Sequence, residues 1–416
     1  MTKSEIIQAA FKVWGTGFYQ TTSLSTLAAS LGVTKPALYH HFKNKDSLLD
    51  AMYNTYFDSL SGSINPFFGK MLASVDAGKN KKESLDYFLL LNNEITKFFA
   101  NNPWYFIFTL TKVHGNMDIS TRLKERGLDF EKLRAVERNF TDKNAYPPLF
   151  QLVLACSLFI IVHFLKSLWK DGRYPENVSE ITQKVDEFVR RGMGFNREKI
   201  NIIDWEGLEK SAAWRQNIGG GGGRHRWIIK AAASVVAAAG PCAASMSMVA
   251  KKSGLSKSGL YAHFASKSDM LRQIFSEELD GVIQHARSVS QKSDAPEEQL
   301  YLAIRAIEGF LTSEPEFLAA INNFKTMLVN FNPDYVEDMR KDNGECQITL
   351  SQIFSEIKDS SGKSLIDVTT AGVILFLLTD TLIQKPDYME YKSIPNESFR
   401  IFYRFIALGI EGVVSY

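Results

Sequence analysis

A stretch of nineteen residues occurs twice in this chain, and no other feature constrains its fold as tightly. Residues 31–49 read LGVTKPALYHHFKNKDSLL, and moving along by 222 residues reaches SGLSKSGLYAHFASKSDML at 253–271. With no gap, Gly32, Lys35, Leu38, Tyr39, His41, Phe42, Lys45 and Leu49 meet Gly254, Lys257, Leu260, Tyr261, His263, Phe264, Lys267 and Leu271. The same offset pairs Ile6 and Ile7 with Ile228 and Ile229, Ala9 and Ala10 with Ala231 and Ala232, and Ala28 with Ala250. A repeat of this kind means one structural unit built twice, so it sets the architecture before composition is consulted.

Each copy reads as three short helices and the start of a fourth. In the first, Ile6, Ile7, Ala10, Val13 and Trp14 share one helical face, and the polar run 20–23 ends that helix and offers caps for the next. Residues 24–31 form a second helix, and Gly32 turns the chain. Thr34 is placed to cap the third helix, whose first turn accommodates Pro36 because no hydrogen bond is lost there. Leu38 and Phe42, four apart, point to the core, each worth about 1.5–3 kcal/mol on burial. Lys35, Ala37, Tyr39, His40 and Lys43 are then left on the outer face. Asn44 caps the fourth helix as Ser266 does in the second copy, where Ser266 and Asp269 have capping-box spacing.

Two helices joined by a glycine turn, the second with cations and aromatic rings facing out, follow the helix-turn-helix plan, whose second helix enters the major groove. The small residue, Leu, Tyr, polar aromatic and Phe order of residues 34–42, followed by Lys-Asn-Lys or Ser-Lys and a leucine pair, resembles the TetR family of bacterial repressors in both copies. The resemblance implies an all-α fold of two tandem units, each a DNA-binding head on a helical ligand and dimerisation domain, forming an intramolecular pseudo-dimer. It further implies that Lys35, Pro36 and Tyr39 meet base edges, that Ala37 and His41 lie close to the backbone, and that Lys45 reaches a phosphate. Thr22 or Ser23 would donate to another phosphate, with Thr34 and His40 completing the first set. The second set is Ser245, Ser256, Lys257, Ser258, Gly259, Tyr261, His263 and Lys267.

Charge agrees with that placement. The formal net charge of the 416 residues is only +2, yet residues 224–273 hold eight Lys or Arg against Asp269 alone, while residues 1–50 hold five Lys against three acids. Basic charge gathered at a reading head is what phosphate binding needs, although charge alone would equally describe a solvated face. Cys156, Cys242 and Cys346 lie far apart, which favours a reducing cytoplasm and no disulfide framework. Residues 1–14 carry no uninterrupted apolar core behind a basic start, so no secretory leader is expected. The apolar run 149–165 contains Gln151, Ser157 and His163 and is shorter than the ~20 residues of a membrane span, so it is read as a buried or dimer-forming helix.

Taken in order, the expected domains are a first head at 1–47, a helical domain at 48–196, a linker at 197–223, a second head at 224–269 and a second helical domain at 270–416. Helices are expected at 48–60, 81–100, 104–113, 119–139, from Pro147 and Pro148 to Trp169, and at 178–193. In the second unit they are expected at 297–311, 317–329, 336–357, 364–383 and 399–413. The linker ends in five glycines, 219–223, which cannot hold an ordered helix. Extended, it would reach at most about 90 Å, more than the ~40 Å across a domain of this size. The closing helix pairs of the two units are expected to pack as one four-helix bundle.

The heads differ where bases would be read: Pro36 against Ser258, Ala37 against Gly259, His40 against Ala262. Unequal heads predict an asymmetric operator for a ligand-responsive repressor of double-stranded DNA. Trp104, Phe108, His114, Phe159 and His163 are expected to line a pocket for a small apolar or aromatic effector, with Tyr105 and Phe106 beside them; a plain aromatic core is the alternative. No catalytic residue, metal site, cofactor or membrane partner is expected. Seven histidines show no ligand spacing, and Gly362-Lys363-Ser364 lacks the upstream glycine of a phosphate loop. Two other readings remain: a ligand- or partner-binding regulator with one head inactive, and a chain that pairs through both units and so carries four heads.

Overall fold

The computed structural model describes residues 2–16, 23–76, 81–109, 119–138, 141, 148–170, 178–211, 223–321, 354–358, 361–383 and 393–414. Among them every extended element is a helix, with one isolated bridge between Lys358 and Ser364. The first head is built from α1 (Lys3–Thr16), α2 (Leu24–Ser30), α3 (Lys35–His41) and the start of α4 (Lys45–Asp76). Ile6, Ile7, Ala10, Phe11 and Trp14 of α1 are buried with Leu27, Leu38, Phe42 and Leu48. Of the face read from sequence, Ile6, Ile7, Ala10 and Trp14 are buried and Val13 is half-buried, while Phe11, which that reading left out, is buried as well.

Helix α4 runs far beyond the expected 48–60. At 32 residues it is about 48 Å long, and Pro66 sits inside it, where it gives up one backbone hydrogen bond. Helices α5 (Lys81–Asn101) and α6 (Pro103–Phe108) pack on it and on α1. The single charged helix expected at 119–139 is instead two, α7 (Ile119–Lys124) and α8 (Phe130–Glu137). Turns occupy 125–127, and Asp129 starts the second piece by accepting the Glu131 N–H at 3.0 Å, a local cap that outweighs the helical propensity of the charged run. Helices α9 (Leu149–Lys170) and α10 (Val178–Arg191) close the unit.

Residues 197–211 correct the linker expectation. They form α11 (Arg197–Asn201) and α12 (Trp205–Ser211), which bury Ile200, Ile203 and Leu208. The Trp205 ring lies 5.1 Å from that of Tyr301. Glu209 accepts from Arg400 at 2.7 and 3.0 Å, and from the Tyr301 hydroxyl at 3.0 Å. The apolar series Ile200, Ile203, Trp205 and Leu208 is the sequence signal for these helices. Residues 212–222, with most of the glycine run, lie outside the described residues.

The second head repeats the first with α13 (Arg224–Ala243), α14 (Met246–Ser253), α15 (Lys257–Tyr261) and α16 (Lys267–Ser290), followed by α17 (Pro296–Ser313) and a helical stretch at 315–321. Nearly all of the helix expected at 336–357 lies outside the described residues. The closing helices are α18 (Val368–Ile383) and α19 (Asn396–Leu408), with α20 (Ile410–Val413) after a break at Gly409. Helix α9 packs on α18, and α10 packs on α19 and α20. Like meets like across the junction, as at a two-fold interface between identical subunits, so one chain makes the pseudo-dimer. The contact is close. Phe159 lies 5.2 Å from Phe376 and over Gly372. Met193 N–H donates to Ile406 C=O at 2.9 Å, and Phe195 N–H to Ala407 C=O at 3.1 Å. A side chain at Gly192 would strike the Ile406 carbonyl, and one at Gly409 the backbone of Arg190, which is why glycine stands at both crossing points. No described helix is long and apolar enough to cross a membrane.

Candidate nucleic-acid interface

The two reading helices are set by the same local devices. Gly32 and Gly254 take φ of +65° and +69°, a left-handed turn that only glycine enters without cost. Behind it, Val33 N–H meets Ala28 C=O at 3.0 Å and Leu255 N–H meets Ala250 C=O at 2.9 Å. At the far end, Phe42 and Phe264 donate back to Leu38 and Leu260. With those leucines and phenylalanines inside, the opposite face is fixed. Tyr39 is 46% and Tyr261 47% exposed, so both rings stand in solvent on equivalent surfaces.

Around Tyr39 lie Lys35, Pro36 and His40, all exposed, with Ala37 and His41 half-buried. The Lys35 ammonium sits 5.8 Å over the Tyr39 ring, and the His40 and His41 rings are 5.4 Å apart. In the second head Lys257 and Ser258 are exposed, while Gly259, His263 and Lys267 are half-buried.

Several expected phosphate donors have structural work. Ser23 Oγ accepts the Thr26 N–H at 3.1 Å, Ser245 Oγ that of Met248 at 3.3 Å and Ser256 Oγ that of Gly259 at 3.0 Å. Each caps a helix, and Ser23 and Ser256 also share a hydrogen bond with the hydroxyls of Thr26 and Ser258 at 3.1 and 3.0 Å. Thr34 stands at the N-cap of α3 without a side-chain capping bond, contrary to the role expected of it. Lys45 is drawn 5.8 Å over the Trp14 ring, and burial lowers its pKa while Asp46 opposes the shift. Thr22 lies outside the described residues.

One neighbour in the second head was missed. His225 Nδ1 lies 3.5 Å from His263 Nδ1, where the first head sets Lys3 over Phe42 at 5.3 Å. Only the offset register, extended back to residue 3, would have revealed that pairing.

The effector set does not gather as expected. Phe108 is buried 5.0 Å from both Phe11 and Tyr53, inside the contact between head and body. Phe159 belongs to the junction between units, against Phe376. Tyr105 and Phe106 are buried, and Trp104 is half-buried. His114 and the side chain of His163 lie outside the described residues. The described aromatic stripe is thus largely core, because its rings fill the gap between α1, α4 and α6.

Two solvent-facing recognition helices, each on a three-helix head carried by an all-helical body, define a DNA-binding regulator. Residues 6–52 and 228–274 both match the family described as bacterial regulatory proteins, tetR family. Each head therefore matches the N-terminal unit of the TetR family, and the chain carries that unit in two tandem copies. Among solved structures, it is similar to the fatty acid degradation regulator FadR from Bacillus halodurans at 18% identity and a TM-score of 0.34, over 45% of this chain and 96% of that one. FadR from Bacillus subtilis in complex with stearoyl-CoA is 20% identical at a TM-score of 0.36, over 44% and 98%. The TetR family transcriptional regulator PfmR from Thermus thermophilus is 20% identical at a TM-score of 0.28, over 44% and 95%.

Proposed function

We propose that the chain is a ligand-responsive repressor that sets its two unlike heads on the two halves of an asymmetric operator. The observation that carries this is the junction, where α9 meets α18 and α10 meets α19 within one chain. Two fixed heads of this type suit half-sites about one helical turn apart, ~34–36 Å. Lys35, Tyr39 and His41, with Lys257, Tyr261 and His263, give a shared docking pose. Pro36, Ala37 and His40 against Ser258, Gly259 and Ala262 give unequal base preferences. The domain boundaries follow the repeat, except that residues 197–211 go with the second body.

Ligand response follows from how the first head is held. Phe11 of α1 packs 4.6 Å from Tyr105 and 5.0 Å from Phe108, so a displacement of α6 moves the head. An effector that favours one head spacing changes DNA affinity by its differential binding to the two arrangements.

Selection of bound duplexes from a random pool tests the reading. Two different half-sites at fixed spacing are expected, and the double variant Ser258→Pro, Ala262→His should draw the second toward the first. A palindrome, or selection unmoved by the variant, overturns the asymmetric-operator reading.

A further inference from the structure

The second head carries an exposed strip with no counterpart on the first. Arg224 and Trp227 stand one turn apart on α13. Trp227 is 58% exposed, and its Nε1 donates to the Ser253 carbonyl at 3.4 Å, which sets the indole against the last turn of α14. That turn bears Lys251 and Lys252, both exposed, with exposed Met248 one turn before. At the matching positions the first head has Thr2, Glu5, Thr26, Ala29 and Ser30. One acid and no cation have become three cations and an indole.

Two other cations of α13 are engaged elsewhere. Arg226 and Lys230 are held by Glu314, Lys230 at 2.7 Å. Among the described residues no ion pair engages Arg224, Lys251 or Lys252. The strip leads through the Gly254 turn to Lys257 at the start of the recognition helix, so it adjoins the groove-facing surface. Cations flanking an outward-facing ring suit a partner that alternates anionic and apolar groups at short spacing, which is the chemistry of the sugar–phosphate backbone.

We infer that this strip rests on the sugar–phosphate backbone of the duplex flanking the second half-site, so that the second head anchors the chain by charge. The first head then contributes more of the discrimination between sequences. This rests on the operator reading above and adds a salt-dependent anchor to one side of it.

The test uses the full chain and a duplex recovered from the random-pool selection, with flanks of ordinary sequence. Binding is measured by fluorescence anisotropy across a salt series for the unaltered chain and for the triple variant Arg224→Gln, Lys251→Gln, Lys252→Gln. Circular dichroism confirms that the variant is folded. The slope of log affinity against log salt should become shallower by about 0.9 for each phosphate no longer neutralised, about 2.7 for three, with sequence preference retained. Hydroxyl-radical protection should reach further beyond the second half-site than beyond the first, and the variant should lose that excess. An unchanged slope with symmetric protection overturns the inference and leaves the operator reading standing, as it would if the strip served an acidic protein. A chain that binds no selected duplex overturns both.

Discussion

In the first head, α1 drives the ring of Phe11 into the body, against Tyr105 and Phe108, and Gln8 donates to the Tyr105 hydroxyl at 3.1 Å. The repeat puts Ala233 where Phe11 stands, and Lys230 where Gln8 stands. In the second head Lys230 and Arg226 instead reach Glu314 at the end of α17. Two heads with the same turn and the same exposed tyrosine are thus fastened by different forces, apolar burial in one and ion pairing contributing in the other. The lesson is that a duplicated reading surface is preserved by local geometry, whereas its attachment is free to diverge.

The largest effect expected from that contrast is at Phe11. Removing a ring that is 1% exposed should cost about 3–5 kcal/mol in urea unfolding, while Ala233→Gly costs much less. Equal losses would erase the difference between the attachments. Next come the turns. Nothing lies within 4 Å of a Cβ added at Gly32 or Gly254, so Gly32→Ala and Gly254→Ala should each cost only the backbone strain, about 1–2 kcal/mol, and the two should agree. A marked inequality would show that the heads differ in their turns as well.

Glu314→Gln should be milder, about 1 kcal/mol at low salt, because Arg226 and Lys230 are each about one third or more exposed. Its cost should shrink as salt rises, whereas that of Phe11→Ala should not. The smallest effect concerns how the closing helices begin. Glu137 accepts the amide N–H groups of Leu149 and Phe150 at the start of α9, and burial raises its pKa, with those two bonds and Arg134 and Arg138 opposing. A raised folded value means that its contribution is present below the ordinary carboxylate range and is lost as the pH rises through the raised value. Melting temperatures should therefore show the unaltered chain gaining on Glu137→Gln as the pH falls from neutrality. In the second unit Glu308 accepts from Ile394 at 2.7 Å and pairs with Arg305 at 3.4 Å, so Glu308→Gln takes away the carboxylate that Arg305 pairs with and should destabilise at neutral pH.

The heads were legible in the sequence because the caps, the turn and the buried spacing that shape their helices each lie within a few residues. Leu38 and Phe42 announced which side of α3 is buried, and Gly32 announced the turn. Asn44 and Ser266 announced helix starts, and the structure gives Asn44 Oδ1 accepting Ser47 N–H at 2.8 Å and Ser266 Oγ accepting Asp269 N–H at 3.0 Å. The site was less legible. The resemblance gives Lys45 an outward role, but its ammonium sits over the Trp14 ring, a contact that no spacing encodes.

What the sequence determined by itself is the duplication: two helix-turn-helix heads in one chain, with unlike residues at matching positions of the reading helices. Periodicity and capping are local, and local rules suffice for them. Only the tertiary structure decided that Phe159 serves the junction, that Phe108 ties head to body, and that residues 197–211 lie on the second unit. Those assignments depend on which apolar surfaces meet across the fold, and burial is indifferent to distance along the chain.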